Sequence, residues 1–293
     1  MISLKNINVM QSVQVHGGIF MPAETWRLLD TGVSDPYTNM AIDEAILLEH
    51  REGKTPPTLR FYAWSPPTIS LGYFQQLEKE IDLEAVKERG LGLVRRLTGG
   101  RAVLHDDEVT YSVVAREDHP LMIGGIRPSY LRLAKALAAG LRELGAPVEI
   151  ASGRKGGREE HTTAACFDAP SWYEITCGGR KLVGSAQTRK GGVVLQHGSI
   201  VLTLNGDDLF AVLKMPSEAV RQRLLAKFYH QACGLEEVLG RRVEAGVIKE
   251  NIVRAFTRLY AVEFVPGGLT EGEKGRLKEL RAKYAAADWL KRR

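Results

Sequence analysis

Residues 172–204 read WYEITCGGRKLVGSAQTRKGGVVLQHGSIVLTL, and this stretch decides the fold class. Three runs rich in apolar and β-branched residues, Trp172–Thr176, Lys181–Gln187 and Val193–Leu204, are separated by glycine-rich steps at Cys177–Arg180 and Lys190–Gly192. Glycine reaches the positive φ angles of tight hairpin turns without a steric cost. The spacing therefore predicts three consecutive strands joined by turns.

Upstream, the same reasoning predicts strands at Thr25–Asp30, Thr58–Ala63, Thr68–Leu71, Leu93–Leu97, Ala102–Leu104 and Val109–Val114. A helix follows the first of them. Thr38 or Asn39 is expected to cap it, Met40, Ala41, Ala45, Ile46 and Leu48 give one apolar face, and Asp43 and Glu44 suit its first turns. Further helices are expected at about Asp82–Arg89, ended by Gly90, and at Ser129–Leu144. Residues 151–165, ASGRKGGREEHTTAA, break the pattern and read as a surface loop that is mobile without substrate and orders over a site. Beyond residue 204 the pattern is largely helical, with one apolar strand at Val262–Val265 and a charged last helix over about Thr270–Lys291. Strands clustered early with helices trailing give an α+β domain, expected over residues 22–265. Residues 266–293 form a helical tail in this reading, and residues 1–21 an extension with no assigned function.

Composition narrows the function. Of 293 residues, 44% are apolar and 26% charged, ordinary values for a globular chain. No apolar run approaches the roughly 18–20 residues that cross a bilayer, and the first 22 residues lack the apolar stretch of a signal peptide. Three cysteines, Cys166, Cys177 and Cys233, without C-x-x-C spacing, support neither a disulfide framework nor a metal site. A reducing cytoplasm is the expected location. The net charge of +5 favours acidic partners. Lys and Arg are scattered without a basic block, so neither nucleic acid nor a membrane is expected as a partner. A monomer is the default expectation.

Candidate chemistry centres on Cys166, in AACFDAPSWYE at the end of the variable loop. A cysteine is more often a small buried hydrophobe than a nucleophile, but loops held on rigid scaffolds carry catalytic groups. A thiol needs a cation or helix N-terminus to become a thiolate near neutral pH. Lys181, beside a Gly-Gly turn and leading into the small residues Gly184, Ser185 and Ala186, is the candidate, against the blander reading of a solvated surface charge. Cys177 and Cys233 read as structural. In RRLTGGRAVLHDDEVTYSV, residues 95–113, the Gly99-Gly100 pair leaves amide N–H groups open to an anion or oxyanion, with Arg95, Arg96 and Arg101 around it. The alternative is a tight turn with exposed arginines. His105 and His197 lie in different strands and read as satisfied core or supporting histidines rather than metal ligands.

Several of these segments in order resemble one family. RRLTGGRAVLHDDEVTYSV, CFDAPSWYEI, GGRKLVGSAQTRKGGVVLQHGSI, TNMAIDEAIL and PPTLRFYAWSPPTISLGYFQ resemble the biotin/lipoate protein ligase superfamily, and within it the LipM-type octanoyltransferases. The resemblance implies an α+β catalytic domain with a mixed β-sheet flanked by helices. It implies transfer of octanoyl from acyl carrier protein to a lysine of a lipoyl domain or glycine cleavage H protein, as the first step of endogenous lipoate synthesis, without a cofactor. Carried to matching positions, Cys166 is the nucleophile and acyl-thioester, and Lys181 lowers its pKa and shuttles protons. Arg95, Gly99, Gly100, His105, Gly184, Ser185, Ala186, His197 and Gly198 are then substrate-binding residues. Three readings compete. One is an ATP-dependent lipoate–protein ligase, which needs no cysteine nucleophile. Another is an octanoyl transferase between H protein and lipoyl domains. The last is a non-catalytic acyl-binding module.

Overall fold

The computed structural model describes residues 24–151 and 173–292. In chain order the elements are β1 (Glu24–Ser34), α1 (Pro36–Arg51), β2 (Thr58–Trp64), β3 (Thr68–Leu71), α2 (Leu77–Glu80), α3 (Leu83–Glu88), β4 (Gly92–Arg95), β5 (Val103–His105), β6 (Glu108–Arg116), α4 (Ile126–Glu143) and β7 (Val148–Ala151). Then come β8 (Glu174–Cys177), β9 (Arg180–Lys190), β10 (Val193–Val201), α5 (Gly206–Val212), α6 (Glu218–Gln231), α7 (Leu235–Leu239), α8 (Ala245–Tyr260), β11 (Val262–Pro266), α9 (Glu271–Ala285) and α10 (Ala287–Leu290). The variable loop at 151–165, apart from Ala151, lies outside the described residues, as do the N-terminal extension and Cys166.

The strands form a mixed eight-stranded sheet in the order β11-β1-β2-β6-β10-β9-β8-β7, and β4-β3-β5 form a small second sheet. β11 and β2 both run parallel to β1, and the β8–β9–β10 meander is antiparallel, as the glycine-separated runs predict. This is an α+β architecture. The period of two along each strand sends neighbouring side chains to opposite faces. Leu28, Phe61, Val113 and Val194 pack with α4 and α8 in one core. Leu29, Tyr62, Val114 and Val193 pack with α1 and α9 in another. Both faces are covered, and nearly every side chain of β2 and β6 is buried. A third core joins the small sheet to α3, α5 and α6.

Three local expectations change. Asp35, rather than Thr38 or Asn39, caps α1, because Pro36 occupies the first turn and the Asp35 carboxylate accepts from the Tyr37 and Thr38 amides. Asp43 and Glu44 consequently lie well inside α1, away from its first turn. β7 was not expected. It is a four-residue strand containing Glu149, too short for a legible alternation, and it forms by pairing with β8.

The segment after Pro266 runs along α1. Arg27 on β1 donates to both carboxylate oxygens of Glu273 on α9, at 2.9 and 2.5 Å. Leu280 and Tyr284 bury into the α1 core. The Trp289 indole donates to Arg95 O at 2.9 Å.

Candidate active site

Where β9, β10 and β6 run side by side, small residues leave a depression on the sheet. Gly198 on β10 pairs with Ser185 on β9 and Tyr111 on β6. A Cβ at Gly198 would sit 2.5 Å from Ser185 Oγ and 2.6 Å from Gly184 O, so only glycine fits between those strands. The Tyr111 hydroxyl lies 2.7 Å from Ser185 Oγ and accepts from Gln196 Nε2 at 3.0 Å. The depression opens into a cavity of about 230 Å³. Met40, Trp64 and Val103 supply apolar wall, Gly100, Gly184 and Ala186 supply room, and Arg96 and Lys181 supply positive charge.

Lys181 begins the wall along β9. It is only 5% exposed, so it is not a solvated surface charge, and its ammonium pairs with the buried Glu174 carboxylate from β8. The Cys233 amide donates to Lys181 O at 2.9 Å, which ties the α6–α7 connection to this strand. Cys233 itself is fully buried, and burial pushes its thiol up to about 11. Cys177 ends β8 and is half-buried.

His105 and His197 are buried in the cavity wall, with both ring nitrogens of each engaged. His105 Nδ1 lies 2.8 Å from Glu108 Oε1 and Nε2 lies 2.8 Å from Ser70 Oγ. Its ring stacks on Trp64 at 4.3 Å between centroids. His197 Nε2 lies 2.6 Å from Thr98 Oγ1 and Nδ1 lies 3.3 Å from Asp43 Oδ2. Burial lowers the pKa of His197, against the opposing pull of Asp43. At Asp43 burial acts upward, but the Arg60 guanidinium, His197 and Ser112 outweigh it and hold the carboxyl below its ordinary range.

Eight of the residues to which the resemblance gave a site role meet in this cavity: Gly100, His105, Lys181, Gly184, Ser185, Ala186, His197 and Gly198, joined by Arg96 and Arg101 from around the Gly-Gly turn. Arg95 does not line it. Adjacent residues at the end of β4 diverge, and the Arg95 guanidinium turns to the C-terminal segment, donating to Leu290 O at 2.7 Å and to Gly72 O at 2.8 Å. Arg96 takes the cavity side instead. Gly99 sits one residue outside the wall, with its carbonyl on Arg96 Nη2 at 2.9 Å. Gly100 has φ +94°, and Gly72 packs so closely that a Cβ there would overlap the Gly100 carbonyl. Sequence reasoning also missed Asp43 and Arg60. Part of the signal was available, a charge inside the apolar run of each element, but that the two face each other is set by the fold.

The lipoyl protein ligase A/B catalytic domain family matches residues 35–257. The chain belongs to this family. It is similar to octanoyltransferase LipM of Kyrpidia tusciae, 49% identical over 269 residues, covering 91% of this chain and 98% of that protein. LipM of Bacillus subtilis is 43% identical, covering 92% and 99%. Among solved structures, a bi-partite lipoate protein ligase from Thermoplasma acidophilum superposes with a TM-score of 0.76 at 27% identity, covering 92% of this chain and 97% of that one. Lipoate-protein ligase A bound with ATP superposes at 0.73 and 27%, covering 92% and 98%. The shared architecture is the biotin/lipoate protein ligase-like fold.

Proposed function

We propose that the chain moves octanoyl from acyl carrier protein to a lysine of a lipoyl domain or glycine cleavage H protein, through a thioester on Cys166. The chain is an octanoyltransferase. The observation that carries the site reading is the cavity itself, a largely apolar hollow with a buried Lys181–Glu174 pair in its wall. Each buried methylene of an acyl chain contributes about 0.8 kcal/mol, so such a hollow can hold and measure the chain.

In the first step the Cys166 thiolate attacks the carrier thioester. A new carbon–sulfur bond forms and the carrier thiolate leaves, with little change in bond energy and no need for ATP. In the second step the acceptor amine attacks the Cys166 thioester, an amide forms and the Cys166 thiolate is released. The amine must lose a proton, and Lys181, coupled to Glu174, is the group we assign to relay it.

The test is intact mass after mixing the chain with octanoyl-acyl carrier protein, without ATP or acceptor. One added octanoyl group, lost with hydroxylamine and absent in Cys166→Ser, is expected. No adduct without ATP, but acyl transfer from free acid once ATP is supplied, would move the chain to the ligase reading favoured by its structural neighbours.

A further inference from the structure

Two carboxylates beneath the cavity connect to one guanidinium through the same succession of groups. On one side Asp43 meets His197 Nδ1 at 3.3 Å, and His197 Nε2 meets Thr98 Oγ1 at 2.6 Å. On the other, Glu108 meets His105 Nδ1 at 2.8 Å, and His105 Nε2 meets Ser70 Oγ at 2.8 Å. Arg96 closes both chains, donating from Nε to Thr98 Oγ1 at 3.2 Å and from Nη1 to Ser70 Oγ at 3.0 Å.

Donor and acceptor capacities set the direction of every bond. A guanidinium only donates. Each hydroxyl therefore accepts from Arg96, and each carboxylate, an acceptor only, takes the Nδ1 proton of its imidazole, which leaves Nε2 of an uncharged ring to accept the hydroxyl proton. Each imidazole accepts at Nε2 and carries its proton on Nδ1, facing the carboxylate. The remaining Arg96 donors reach Ser70 O at 2.7 Å, Gly99 O at 2.9 Å and Arg101 O at 2.7 Å.

We propose that Arg96 is a positioning residue for acyl transfer, aligned by two hydroxyl–imidazole–carboxylate relays, and that it fixes the Gly99–Arg101 backbone at the cavity wall. In a trans peptide the N–H points opposite to the C=O. Pinning the Gly99 carbonyl on the guanidinium thus directs the Gly100 amide away from it, as a backbone donor for charge that develops on a reacting carbonyl oxygen. The relays act on the rate by holding that donor still, not by exchanging protons with substrate. The proposal rests on the reading of this cavity as the acyl site. The charged groups facing the imidazoles are Asp43 on α1 with its partner Arg60 on β2, Glu108 on β6, and Arg96 itself.

The test uses the full chain labelled with nitrogen-15 in histidine and glycine. In the wild type, the nitrogen-15 shifts are expected to show the uncharged tautomer of His105 and of His197 protonated on Nδ1. Thr98→Val and Ser70→Ala are each expected to lower kcat about tenfold, the effect of one hydrogen bond to a charged group. KM stays within about twofold, since the lost interaction serves the transition state. The Gly100 amide resonance shifts in both variants, and Thr98→Ser restores both rate and resonance. An uncharged ring protonated on Nε2, at either histidine, overturns the relay. So does an unmoved Gly100 amide, a change confined to KM, or a Thr98→Ser variant as slow as Thr98→Val. If Thr98→Val does not fold, the wild-type ring shifts and Ser70→Ala still decide. A wild-type chain that transfers no octanoyl group sinks the functional reading, while the ring shifts report on the relay separately.

Discussion

Arg60→Met takes away one half of a desolvated ion pair, and the structure sets both the size and the pH dependence of the damage. Arg60 is 0% exposed and Asp43 1%, with Nη1 2.6 Å from Oδ1. The substitution also removes donors to Thr31 Oγ1 at 2.9 Å, Asn39 O at 3.0 Å and Asn39 Oδ1 at 2.8 Å. Methionine fills much of the volume, so the dominant cost is a buried carboxylate without its cation. Removing one partner of such a pair costs about 3–5 kcal/mol. In the wild type the folded pKa of Asp43 is lowered. Its stabilisation is therefore full above the unfolded carboxyl pKa, near 4, and fades as pH falls through the folded value. In Arg60→Met the sign reverses. Burial now dominates, the folded pKa rises above the unfolded one, and the folded state takes up a proton first. The deficit should be about 4 kcal/mol at pH 7 and smaller at pH 5. Urea unfolding at both pH values, compared at unchanged m, measures it. A deficit below about 1 kcal/mol at pH 7, the range of an exposed pair, or an equal deficit at both pH values, would refute the reasoning.

Three further outcomes follow from the same geometry. Cys233, buried and with its thiol pushed up to about 11, should stay unalkylated by iodoacetamide at pH 8 while Cys177 is modified; equal labelling of the two in the native chain would contradict that burial. Gly100→Ala forces a side chain onto a backbone at φ +94°, 2.9 Å from Arg96 Nη2, and should cost about 1–3 kcal/mol in urea unfolding and slow octanoyl transfer more than it alters KM. Deleting residues 287–293 removes the Leu290 carbonyl from Arg95 and the Trp289 indole from Arg95 O; a loss of about 2 kcal/mol is expected, and unchanged urea stability would show that these bonds are replaced by water.

Glycine pairs and alternating apolar runs made the β8–β9–β10 meander legible, because both signals are local. The same locality hid β7, whose four residues acquire strand geometry only from β8. At Arg95-Arg96 the sequence shows two equal cations. Their opposite fates depend on which side of β4 meets the C-terminal segment, a contact nearly two hundred residues distant in the chain. Asp43 was legible as an acid on a helix. That it lies in the interior follows only when Asp35 is recognised as the cap and β2 brings Arg60 across it. His105 and His197 were readable as satisfied histidines, but their shared link to Arg96 needs the small sheet and the large sheet in register with each other.

The parallel pairing of β11 with β1 has a consequence for biosynthesis. β1 is among the first described strands to be made, and the strand that covers its outer edge comes after Tyr260. α9, which shields the apolar side of α1, comes later still. At about 5–20 residues per second, the nascent chain carries an unpaired strand edge and a bare helix face for on the order of ten seconds or more. Lengthening that interval, by slow codons between α4 and α8, should lower the soluble yield of an otherwise unchanged protein, since an open edge is a template for pairing with other chains.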